Sequence, residues 1–158
     1  MEDLSTEALF GGMVGKNVVV TGGSSGIGLM ISAAFVQAGC NVYIFSRRPD
    51  HAAAAALTSK GPGRCISLVC DVANDAQISE VVKLVGERCP EGLHVLVNNS
   101  GAVWAAAFEE TSKSSFDKLM NVNVTGLFMV TQKFTPLLTR AATAQDPARV
   151  INIASYVR

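Results

Sequence analysis

The sequence predicts an α/β protein built on a doubly wound parallel sheet, and three observations carry that expectation. Short β-branched runs alternate with longer stretches of helical character, the order that builds parallel strands joined by helices. Those runs are apolar almost throughout rather than at every second residue, as strands covered on both faces are. Apolar residues make up 49% of the 158 positions and charged residues only 16%, a balance that suits a buried sheet and argues against disorder. Five strands with right-handed crossovers then give the strand order 3-2-1-4-5.

The elements follow in turn. Asn17–Thr21, NVVVT, is the first strand; a helix over about 26–38 follows and ends at Gly39, a residue suited to a left-handed helix end. The second strand is NVYIFS at 41–46, and the second helix, about 50–60 with the run Ala52 to Ala56, stops at Gly61-Pro62-Gly63. RCISLVC at 64–70 is the third strand. Asn74 or Asp75 starts a third helix over 75–88, before the fourth strand, HVLVN at 94–98. Thr111 and Ser112 mark the start of one long helix over about 113–140, and RVINIA at 149–154 is the fifth strand. Residues 1–15 are expected to be an N-terminal extension to a single domain over 16–158, with no linker or tandem repeat inside it.

Thirteen basic and thirteen acidic residues cancel, so no broad field attracts nucleic acid or an anionic membrane. No apolar run reaches membrane-spanning length, and the N-terminus has early acids and no basic segment leading into an apolar stretch. A cytoplasmic protein is the expectation. Cys40, Cys65, Cys70 and Cys89 show no CxxC spacing and His51 and His94 stand apart, so buried reduced thiols are expected, with no metal site.

Chemistry concentrates in VVVTGGSSGIGLM, which runs from the first strand through Gly22, Gly23, Gly26 and Gly28 into the first helix. Glycines allow a tight turn and close approach of a ligand, while a helix N-terminus offers free N–H groups and a partial positive charge. The arrangement reads as a cradle for a phosphate-bearing ligand; a plain glycine-rich turn is the ordinary alternative.

The spacing T-G-x-x-x-G-I-G, Thr21 to Gly28, resembles the fingerprint of short-chain dehydrogenases/reductases. Further matches fall in order: CDV at 70–72, NNSG at 98–101, VNVTG at 122–126 and INIAS at 151–155. Together they cover nearly everything from Lys16 onward. The resemblance implies a Rossmann-type fold whose five strands are incomplete against the family's seven. It also implies a nicotinamide dinucleotide held by Thr21, Gly22, Ser24, Ser25, Gly26, Ile27 and Gly28, by Asp71 and Val72 at the adenine, and by Asn98, Ser100 and Gly101. Ser100 stands where the family usually has alanine. Asp71 has a second reading as a turn-stabilising aspartate, and 98–101 as a strand-ending turn.

About 20 residues past the glycine loop, an acidic residue ordinarily binds the adenosine ribose and repels a 2′-phosphate. Here the sequence reads Ser46-Arg47-Arg48, which lacks a carboxylate and offers a guanidinium fork for phosphate, so NADP(H) is preferred and NAD(H) possible. A solvated strand end is the alternative reading of these arginines.

By resemblance Asn123 is the asparagine of a proton relay and Ser155 the serine that binds the substrate oxygen. Structural alternatives are a helix residue satisfying backbone groups and a residue merely ending a strand. The family's Tyr-x-x-x-Lys has no counterpart: Tyr43 lies on the second strand with Arg47 four residues on, and Tyr156 has two residues after it. The expectation is therefore the cofactor-binding part of a carbonyl or alcohol oxidoreductase, truncated before its proton donor and without turnover alone. Its alternative is a non-catalytic structural or regulatory subunit. The fifth strand and the long helix are expected to be left open, for a homo-oligomer through 113–140 or for a partner chain covering strand five.

Overall fold

The computed structural model describes residues 11–154. Strand β1 is Asn17–Thr21, with all five residues buried. Helix α1 (Gly26–Gln37) follows, then β2 (Asn41–Ser46), α2 (His51–Thr58) and β3 (Arg64–Val69). Next come α3 (Asp75–Arg88), β4 (Val95–Asn98) and a 3₁₀ turn, Phe108–Glu110, the counterpart of one at Gly11–Met13 before β1. Helix α4 (Lys113–Met120) runs through a π-helical segment, Asn121–Gly126, into α5 (Leu127–Ala141), and β5 (Arg149–Asn152) completes the set. Every strand pairing is parallel and the order is β3-β2-β1-β4-β5, as the sequence pattern predicts.

Local chemistry sets the helix starts. Asn74 Oδ1 accepts the N–H groups of Ala76 and Gln77, both at 3.1 Å, while Asp75 in the first turn and Arg88 in the last match the helix dipole. Asp50 caps α2 through Ala53 N–H at 3.0 Å, and Ser112 caps α4 through Ser115 N–H at 3.1 Å. Of the residues expected to form an N-terminal extension, 1–10 lie outside the described residues. Gly15 N–H donates to Gly39 O at 2.9 Å and Met13 packs against the core, so residues just before β1 sit on the domain.

Alternation within each buried strand divides the core in two. Val18, Val20, Val42 and Ile44 face α1 and α2, where they meet Val36 and Leu57. Val19, Phe45 and Leu96 face α3 and α5, against Val81, Val85, Val130 and Phe134. Phe45 and Phe134 stack with ring centres 5.9 Å apart, tilted by 31°. Burial of this kind stabilises by roughly 1.5–3 kcal/mol per large apolar side chain.

The helix expected to run unbroken over 113–140 is widened in its middle. Asn123 is tied to Ala102, and a Cβ on Gly126 would fall 2.6 Å from Val72 O, so two anchors three residues apart draw the same turn against its neighbours. The longer i→i+5 turn accommodates both.

A polar seam closes the other end of the sheet. Asn17 N–H donates to His94 Nδ1 at 3.1 Å, and Lys16, 16% exposed, pairs with Asp146 at 2.7 Å. Among the described residues no helix is long and apolar enough to cross a membrane. The four cysteines are free and buried. Burial pushes the thiols of Cys65 and Cys70 up to about 12 and that of Cys40 to about 11, which leaves them protonated and unreactive at neutral pH.

Candidate functional site

A cleft of about 1200 Å³ opens at the carboxyl ends of the strands, where the order reverses on either side of β1. Ligands of open α/β sheets bind at that switch point, because the loops there diverge to opposite faces.

The floor is a reciprocal lock between two loops. Thr21 Oγ1 accepts the N–H groups of Asn99 and Ser100, each at 2.9 Å. In return Asn99 Nδ2 donates to Thr21 O at 3.0 Å and to Gly22 O at 3.3 Å. Gly22 sits at φ +65° and Gly26 at φ +52°, left-handed backbone that glycine adopts without strain. Gly28 permits the closest approach: a Cβ there would fall 2.2 Å from Gly22 O and 2.4 Å from Asn99 Nδ2.

Helix α1 opens onto this cradle from Ser25. The Ser25 side chain makes no capping bond and the first turn carries no acid, so the helix presents free N–H groups uncompensated by local charge. On the β2 side the cleft is bounded by Ser46, Arg47, Arg48, Pro49 and Asp50. The Ser46 hydroxyl donates to Arg48 O, so it holds the turn. Both arginines are exposed, and among the described residues neither forms an ion pair.

Asp71 and Val72 form the wall after β3. Asp71 Oδ1 accepts Ala73 N–H at 3.0 Å and its own N–H donates to Gln77 Oε1 at 2.7 Å, so the turn role is present while the residue still lines the cleft. Ser100, Gly101, Ala102 and Val103 line the side beyond β4. Asn123 faces that segment: Oδ1 accepts Ala102 N–H at 2.8 Å and Nδ2 donates to Ala102 O at 2.9 Å. This two-point grip fixes the backbone beside the cleft.

Of the residues expected at the cofactor, Gly22, Ser24, Ser25, Ile27, Gly28, Ser46, Arg47, Arg48, Asp71, Val72, Ser100 and Gly101 all line the cleft. Thr21 and Gly26 shape the loop without lining it. Asn98 does not line it: its side chain is buried, and Nδ2 donates to Thr131 on α5 and to Asn152 on β5, each at 2.9 Å. Its neighbour Asn99 lines the cleft instead. Consecutive side chains leave a strand on opposite sides, so one residue of the NN pair must turn away from the other. Ser155 lies outside the described residues. Among those described, no group of three or more His, Cys, Asp or Glu is placed to hold a metal ion.

The arrangement fits a dinucleotide on this structure's own terms. It offers a glycine loop held tightly against Asn99 and the start of α1, an uncapped helix start, two arginines unpaired among the described residues and a groove of sufficient volume.

Comparison with known proteins agrees. A Pseudomonas aeruginosa rhamnolipids biosynthesis 3-oxoacyl-[acyl-carrier-protein] reductase is 39% identical over 143 residues, 90% of this chain and 56% of the relative. Among solved structures, the Pseudomonas aeruginosa RhlG/NADP active-site complex superposes with a TM-score of 0.82 at 40% identity, over 90% of this chain and 55% of that one. An NADH-dependent reductase, A1-R′, complexed with NAD superposes at 0.83 with 25% identity, over 90% and 60%. The chain thus spans about half the length of the curated relatives it matches. The model of the short chain dehydrogenase family matches residues 16–157, and the chain belongs to that family.

Proposed function

We propose that this chain is the dinucleotide-binding part of an oxidoreductase that exchanges hydride between NADP(H) and a carbonyl or alcohol. The observation that carries the reading is the cradle formed by Gly22, Gly28 and Asn99 under the uncapped start of α1. Amides of the loop and the first turn of α1 receive the diphosphate, Asp71 and Val72 lie at the adenine, and Asn99, Ser100 and Gly101 fix the far wall. When bound, the nicotinamide supplies the carbon that gives or takes hydride. Asn123 holds the Ala102 backbone beside the substrate end and belongs to the proton relay, and Ser155 binds the substrate oxygen. Turnover by these 158 residues alone is not expected, because no Tyr-x-x-x-Lys occurs in their sequence. We place the protein's work in the cytoplasm, in keeping with its free buried thiols.

Arg47 and Arg48 favour NADP(H) over NAD(H), and the relative solved with NADP supports that preference. Calorimetric titration of the folded chain is expected to show NADPH binding more tightly than NADH. Replacing both arginines with alanine should weaken NADPH by roughly 10- to 100-fold and leave NADH nearly unchanged. No heat with either coenzyme ends this proposal; tighter NADH binding in the unaltered chain ends only the preference.

The chain also carries an apolar face suited to association, which bears on the choice between self-assembly and a non-catalytic subunit of a larger assembly. Phe116, Met120, Val124 and Phe128 form an exposed apolar stripe along α4, the π-helical segment and α5, between 39% and 59% exposed. The stripe is symmetric about position 122, so an antiparallel copy would bring Phe116 onto Phe128 and Met120 onto Val124, as a two-fold interface requires. We propose association through this face between copies; native mass measurement showing a different chain bound over β5 would favour the subunit reading.

A further inference from the structure

Ser32, on the second turn of α1, has no solvent exposure. Its hydroxyl reaches two carbonyls, Gly28 O at 2.8 Å and Gly23 O at 3.2 Å. The first bond is the back-bond to residue i−4 common for serine in a helix. The second crosses from the helix to the glycine loop before it. One proton serves both, as a three-centre bond. Gly23 has little freedom to move away: a Cβ there would fall 2.6 Å from Ile44 Cγ2 and 2.9 Å from Ser32 Oγ, so the loop is pressed between β2 and α1.

That inward carbonyl has a consequence one atom further along. Among the described residues every peptide bond is trans, and in a trans peptide the C=O and the following N–H point in opposite directions. A Gly23 carbonyl drawn into the interior therefore turns the Ser24 N–H outward. Ser24 lines the cleft, and among the described residues no acceptor meets its N–H.

We infer that Ser32 is a positioning residue: by holding the Gly23 carbonyl, it aims the Ser24 amide at a phosphate oxygen of the bound dinucleotide. The inference rests on the dinucleotide reading above and adds a buried residue outside the glycine motif to it. Loss of the Ser32 hydroxyl frees the 23–24 peptide to rotate, and the amide must then be ordered at the moment of binding.

The test compares the unaltered chain with Ser32→Ala and Ser32→Cys, each verified as folded by circular dichroism and thermal midpoint. Affinities are measured by calorimetry for NADPH, for ADP and for adenosine 2′-monophosphate, with adenosine as a competitor lacking phosphate. Both variants should weaken NADPH by roughly three- to tenfold, since a thiol fills the same volume but donates poorly. A matching loss with ADP assigns the diphosphate to Ser24, and one with adenosine 2′-monophosphate assigns the ribose phosphate; adenosine itself should be unaffected. Equal NADPH affinity in Ser32→Ala overturns the inference, as does restoration by Ser32→Cys or an equal loss with adenosine. In the unaltered chain, the Ser24 amide proton should move downfield on addition of NADPH, and an unmoved resonance counts against it whatever the variants do. If the unaltered chain binds no dinucleotide, the functional reading fails and takes this inference with it; if it binds while Ser32→Ala binds equally well, only the inference fails.

Discussion

Strands β1 and β5 are built from similar letters, NVVVT and RVIN, yet every residue of β1 is buried and every residue of β5 is exposed. The half of the sheet around β1 and β2 has helices on both faces and strands on both sides. At the other end β5 pairs only with β4, and Val150, Ile151 and Ile153 remain 38–43% exposed. The same contrast runs along one helix: Val130 and Phe134 point into the core with no exposure, while Phe128 on the opposite side of α5 is 59% exposed. Apolar sequence makes a strand or a helix face, and neighbours decide whether that face is covered.

The largest effect is expected where the covered half meets the cleft. Gly28→Val drives a side chain into Gly22 O and Asn99, so NADPH binding should fall below detection in calorimetry, with the helical circular dichroism signal retained. Binding within tenfold of the unaltered chain would show that the cradle does not need its glycine.

Next comes a direct trial of the inner and outer faces of α5. Phe134→Ala should cost about 3–5 kcal/mol in urea unfolding, because it empties a site stacked on Phe45. Phe128→Ser should change stability by less than about 0.5 kcal/mol while lowering self-association measured by sedimentation. Equal costs at the two positions would erase the contrast between the faces.

The smallest effect concerns the seam joining the halves. His94 Nδ1 accepts the Asn17 N–H, so the ring is neutral there. Burial first, then the charge of Lys16, hold its pKa below the ordinary 6.5, with Asp146 and Glu91 opposing. The unfolded chain therefore binds the proton more readily. The stability this provides is complete above pH 6.5 and is lost as pH falls from there through the folded-state value. Urea midpoints should drop more between pH 7.5 and 5.5 in the unaltered chain than in His94→Gln, which keeps an acceptor and does not titrate; parallel drops would remove His94 from the account.

Much of this was readable in advance. The β-branched runs placed all five strands, and the helix-start residues Asn74 and Ser112 cap α3 and α4 as expected. Most of the cleft was legible because glycine spacing and strand ends fix a backbone path. The orientation of the Asn98 side chain was not legible for a reason the strand itself contains: adjacent residues face opposite sides, and which of two asparagines meets the cleft depends on pleat phase. The π segment carried no sequence mark, since it answers to Ala102 and Val72, which come from elsewhere in the chain. Ser32 went unnoticed because a serine within a helix looks unremarkable until the loop folds back onto it.

By itself the sequence determined the elements, their parallel order and the glycine turn, because these depend on propensity, periodicity and backbone freedom within short spans. Only the tertiary structure decided which asparagine faces the cleft, how Asn123 grips Ala102, and which apolar faces stay open. Those outcomes depend on contacts between residues distant in sequence, where a shift of about 1 Å or a reversal of pleat exchanges one partner for another.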